Sequence, residues 1–136
     1  MIKRIIKLIS ILFLISFVGI YFIFKIYTAP KSDRKVLKAF EKSLIQPKLT
    51  QQKFKDFTYR KISIVKDTIL PTIVFVHGTI GSLSNFSKYL SDSLLQQKAN
   101  MIAYDRIGYN YKDKNETQES IAFEVAMLSW VSFLSL

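Results

Sequence analysis

His77 is the single histidine of a 136-residue chain that contains no cysteine. It stands in TIVFVHGTIGS, Thr72 to Ser82, where a run of β-branched and aromatic residues stops at His77-Gly78. The pattern recurs in MIAYDRIGYN, where an apolar run stops at Asp105-Arg106. An imidazole at a strand end could serve as a general base or a metal ligand. Neither role has a partner nearby in the sequence, because no Cys or second His clusters with it. Ser82 or Ser84 as a nucleophile would lack a second histidine to activate it. Gly78 and Gly81 do not match the spacing of a phosphate-cradling loop, neither G-x-x-x-x-G-K nor G-x-G-x-x-G. The reading that remains is a corner. The His77 ring would bond loop backbone, while Gly78 and Gly81 allow unusual φ and close approach. Asp105 would satisfy backbone N–H groups in a turn, Arg106 would brace the neighbouring loop, and Gly108 completes the turn.

Those residues need elements to hold them. Thr72–Val76 is apolar throughout, as a strand buried on both faces would be. A helix is expected over about Asn85–Gln97, with Phe86, Tyr89, Leu90 and Leu94 as its inner stripe. Met101–Tyr104 reads as a second buried strand, a polar stretch follows over Lys112–Gln118, and a second helix begins near Glu119. Strand, helix, strand, helix implies an α/β fold with a parallel sheet and right-handed crossovers. Sites in such sheets gather at the carboxyl ends of strands, where both punctuating motifs lie. Upstream, Phe57–Val65 has strand composition, and residues 48–56 are polar and basic and read as a linker. Ser32-Asp33 can start an amphipathic helix to about Leu44, with Val36, Leu37, Phe40 and Leu44 on one face; it could lie on a membrane or pack on the domain.

The N-terminus differs from the rest. Leu8–Phe24 is an uncharged run of 17 residues, about 25 Å of helix. Flanking Ile5, Ile6, Ile26 and Tyr27 extend it if Lys7 and Lys25 snorkel. No small-x-small cleavage site follows, so an uncleaved membrane anchor over residues 5–27 is preferred to a signal peptide. The formal charge of +10 is lopsided: residues 1–66 carry 15 Lys/Arg against 3 Asp/Glu, and residues 67–136 carry 5 against 7. Basic residues beside an apolar span suit anionic lipid better than nucleic acid, which is not expected as a partner. The Lys/Arg count places the C-terminal side in the cytoplasm, whereas a short basic N-terminus before an apolar run looks like an export signal.

VFVHGTIGSLSNF followed by MIAYDRIGYN resembles the N-terminal part of the α/β-hydrolase superfamily, over about residues 57–128. The likeness is to an H-G-x-x-G-S loop after the third strand and a D-R-x-G turn after the fourth. It implies a partial α/β-hydrolase domain over residues 57–136, behind a juxtamembrane helix and linker at 28–56. It also implies that the backbone N–H of Thr79 is one donor of an oxyanion hole, supported by His77, Gly78 and Gly81. Asp105, Arg106 and Gly108 would shape the structural turn. Ile107 and Asn110 depart from the Pro and Gly common in the family. No two of the four glycines have the spacing of a G-x-S-x-G elbow, so nucleophile, acid and catalytic histidine would lie beyond residue 136. The expectation is an N-terminal portion of a membrane-anchored hydrolase of esters or related bonds, inactive alone, with a small-molecule substrate at family level. It would need no cofactor or metal. The alternative is a small anchored, non-enzymatic protein that binds a partner or anionic lipid through its basic segment. The apolar tail from Trp130 would be a strand stub, or would cover the open edge that Thr72–Val76 presents.

Overall fold

The computed structural model describes residues 2–110, 116–118 and 120–133. Helix α1, Ile2–Thr28, leads into the short helix α2, Asp33–Lys38. Strands β1, Lys48–Phe54, and β2, Phe57–Ile64, form a hairpin. Strand β3, Thr72–Val76, is followed by a 3₁₀ turn, Leu83–Phe86, and the short helices α3, Ser87–Leu90, and α4, Ser93–Lys98. Strand β4, Asn100–Tyr104, and helix α5, Ile121–Phe133, complete the order.

Helix α1 is exposed along its length and long and apolar enough to cross a membrane. The remainder is an α/β unit, but its sheet is mixed rather than parallel. The strand order is β1-β2-β4-β3. β1 and β2 are antiparallel, β2 and β4 are antiparallel, and only β3 and β4 run parallel. The cause is the two-residue link Lys55-Asp56, which turns the chain straight back and makes a strand of the segment expected to be a linker. Lys55 takes φ 52° at that turn, an uncommon conformation for a residue with a side chain.

Strand parity sorts the side chains into two cores. On one face Ile62, Ile64, Met101 and Ala103 pack with Val36, Phe40, Leu83 and Leu90. On the other, Phe54, Tyr59, Ile102 and Tyr104 pack with Ile107, Met127 and Val131. The α2 region and α3 therefore cover one face and α5 the other. Phe123, Met127 and Val131 recur every fourth residue and form the buried stripe of α5. The α2 stretch packs on the domain, with Val36 and Phe40 buried. Buried Gln96 ties it there: its amide donates to Ser43 Oγ at 2.6 Å and its carbonyl accepts from Ile45 N–H at 3.0 Å.

Three further expectations change. The helix expected over 85–97 breaks at Ser91-Asp92, where the Asp92 carboxylate caps a new start by accepting from Leu94 and Leu95 N–H. The strand buried on both faces is β4; β3 is an edge strand with Ile73 and Val76 exposed, because no strand pairs with its far side among the described residues. The stretch 130–133 is helix on the sheet face, neither a strand stub nor an edge cover. Residues 134–136, the polar stretch 112–115 and the helix start near Glu119 lie outside the described residues.

Phe40 tests whether the pre-sheet segment belongs to the folded unit. Phe40→Ala is expected to lower stability by about 3–5 kcal/mol in urea unfolding, and Leu44→Ala, at an exposed position, by no more than about 0.5 kcal/mol.

Candidate functional site

The two punctuating motifs meet at the carboxyl ends of the parallel pair β3 and β4, where register places Val76 beside Tyr104. The next residues are His77 and Asp105, and both are buried. His77 Nε2 accepts from the backbone N–H of Arg106 at 3.0 Å. That nitrogen therefore carries no proton, so Nδ1 holds it and donates to the Gly78 carbonyl at 2.8 Å. One neutral ring thus staples both strand-end loops. Its edge meets the Tyr109 ring at 5.3 Å, and the Arg106 guanidinium lies 5.2 Å from the same tyrosine ring. Burial pushes the His77 pKa below its ordinary 6.5, against the opposing Gly78 carbonyl and Asp105 charge. With both nitrogens committed, the ring is a strut and not a base.

Asp105 holds the second junction. Its Oδ1 accepts from Leu83 N–H at 2.7 Å, and its Oδ2 accepts from Arg60 Nε at 2.7 Å. Arg60 Nη1 donates to Asp33 Oδ1 at 2.9 Å and to the Lys31 carbonyl at 2.8 Å. The Arg60 and Asp105 side chains are fully buried, whereas Asp33 is a third exposed. Burial pushes the Asp105 carboxyl upward, while Arg60 and the Leu83 N–H pull it back. Asp105 thus satisfies loop backbone, as its type suggested. Its ionic partner is not its chain neighbour but an arginine on β2. Arg60 shares strand parity with Ile62 and Ile64, so a charged residue on the inward face was the available signal.

Arg106 does not brace the neighbouring loop through its side chain. Its Nε donates to Glu124 Oε1 on α5 at 2.8 Å, and only its backbone joins the loops. Gly108 has φ +85°, and a Cβ there would lie 2.7 Å from Thr117 Cα, which explains the glycine twice over. A Cβ on Gly81 would meet Asn85 Nδ2 at 2.8 Å and His77 Cβ at 3.2 Å, so close approach holds there; Gly78 has open space, and neither glycine takes the positive φ expected of it. Thr79 is exposed beyond the stapled corner, and its N–H has no partner among the described residues. The Ser82 and Ser84 hydroxyls are buried and bonded to each other at 2.7 Å, with Ser82 also capping the 3₁₀ turn. Neither is placed against a base. Among the described residues no group of three His, Cys, Asp or Glu could hold a metal.

Beside the corner, a largely apolar groove of about 250 Å³ lies between the carboxyl ends of β3 and β4 and helix α5. Val76, Tyr104, Ile121, Val125 and Leu128 line it, with the Arg106–Glu124 pair at its polar side. No family model, curated protein or solved structure matches the chain.

Two outcomes are expected. Asp105→Asn leaves the Arg60 charge buried against a neutral partner and costs about 3–5 kcal/mol in urea unfolding, whereas Asp33→Asn costs less than about 1 kcal/mol. The depressed His77 value sets a pH dependence. Above about 6.5 both folded and unfolded chains carry a neutral ring, and the full stabilisation is present. As the pH falls below that, the unfolded chain protonates first and stability is lost. Melting temperatures between pH 7.5 and 5.5 should fall for the native chain and stay flatter for His77→Gln.

Proposed function

We propose that residues 57–128 form the N-terminal part of an α/β-hydrolase-type sheet in a protein held to the membrane by α1. The single observation that carries this reading is the pairing of motif with strand end. His77-Gly78 follows the third strand in chain order and Asp105-Arg106-Ile107-Gly108 the fourth, on adjacent parallel strands. A second feature supports it: the resemblance calls for a further strand beside Thr72–Val76, and among the described residues no strand pairs with that edge. In this reading the exposed N–H of Thr79 is one oxyanion donor for hydrolysis of an ester or related bond. Asp105, Arg60 and His77 hold that donor's loop rigid. The nucleophile and its base come from outside these 136 residues, since no G-x-S-x-G occurs in them and His77 is fully committed.

A second reading rests on charge. Arg34, Lys35 and Lys38 on α2 are exposed just after α1. They suit the surface of an anionic membrane, independently of any chemistry.

The full chain in detergent is expected to hydrolyse short acyl esters at the buffer rate and to remain unlabelled by a fluorophosphonate serine probe. Turnover above buffer that disappears in Ser82→Ala or Ser84→Ala would overturn the assignment of the nucleophile to residues outside the chain.

A further inference from the structure

The sheet face covered by α5 changes character halfway along. Near the hairpin it presents Phe54, Phe57 and Tyr59, which pack with α5. Towards the other end, the same parity on β1 and β2 gives Thr50, Lys48, Lys61 and Ser63. These line a cavity of about 370 Å³, together with Gln46, Gln52 and Val65. The size is at the small end of ligand pockets, roughly 300–1,000 Å³.

Lys61 sets the problem. It is only 6% exposed, yet no carboxylate pairs with it among the described residues. A lysine so buried is ordinarily paired. Its nearest charged influence is another cation: burial first, and then the charge of Lys48, pushes its pKa down. The remaining polar groups are neutral. Gln52 Nε2 donates to Thr50 Oγ1 at 3.3 Å, and Ser63 Oγ approaches the Lys48 carbonyl at 3.5 Å. The hydroxyl hydrogen of Thr50 is thus left to donate into the cavity, and so are both lysine ammonium groups.

We propose that this cavity is a binding site for a small phosphomonoester, with Lys48 and Lys61 taking its charge and the Thr50 hydroxyl donating to one of its oxygens. A dianion balances two ammonium groups that otherwise repel one another in a partly dry site. Lysine suits such an oxygen-rich charge as a point donor. The volume leaves room for an organic portion beyond the phosphate. The site lies on the opposite face of the sheet from Arg60 and does not depend on the hydrolase reading. The same chemistry is offered by free glycerol 3-phosphate and by the headgroup of phosphatidic acid.

The test uses the full chain in phosphatidylcholine nanodiscs, titrated calorimetrically with glycerol 3-phosphate. A parallel arm uses discs containing phosphatidic acid, with amine-acylation footprinting of Lys61 read by mass spectrometry. Saturable one-to-one binding, weakened at least about tenfold in Lys48→Gln and in Lys61→Met, supports a soluble ligand. Protection of Lys61 only in phosphatidic-acid discs, lost in Lys48→Gln, supports the lipid headgroup. Lys48 is exposed, so that variant retains the fold. Lys61→Met should also raise the melting temperature without ligand, which a purely structural lysine would not allow. Absence of both calorimetric binding and footprint protection, or affinity unchanged in Lys48→Gln, overturns the proposal.

Discussion

The ion pair between Arg60 and Asp105 is the constraint on which the rest of the arrangement depends. Two fully buried charges 2.7 Å apart need most of their other hydrogen-bonding positions filled. Filling them recruits distant parts of the chain. Asp105 takes the backbone of Leu83, which closes the loop after β3. Arg60 takes Asp33 and the Lys31 carbonyl, just after the apolar helix. The start of α2 and the link before it, the second strand and the strand-end loops are therefore tied through one guanidinium. An apolar pair of equal volume could fill the space, but it could not fix four backbone segments in register.

The His77 ring works beside that pair in a complementary way. It contributes no charge, and its neutrality is what allows it to accept from Arg106 and donate to Gly78 at once. A protonated ring would set two donors against each other at the Arg106 N–H. The corner thus leaves Thr79 exposed above a closed interior.

The two faces of the sheet have unequal cover. One is sealed from the α2 region to α4. The other is covered by α5 only over its aromatic half, which leaves a cavity at the Lys48–Lys61 end. Among the described residues the edge of β3 is also open, and Ile73 and Val76 remain exposed although their strand reads as apolar. Apolar composition reported that this strand belongs in an interior; it could not report whether the neighbour that makes the interior is at hand.

By itself the sequence determined what depends on local pattern. The long apolar helix, the strands at 57–64, 72–76 and 100–104, and the turn at Gly108 follow from composition, period and backbone permission within a few residues. It marked His77 and Asp105 as strand-end corners. It misjudged residues 48–54, because a polar strand on a hairpin draws its stability from the ladder with β2 and not from its own side chains. It placed the break at Asp92 inside a helix, because a cap competes with an apolar stripe that runs straight past it. Only the tertiary structure decided that Arg60 answers Asp105 across 45 residues, that Lys61 is buried without an acid, and that β4 rather than β3 is central. A residue's own type sets what partner it requires. Which partner it receives depends on how strands from separate parts of the chain come into register, and that is settled by the whole fold.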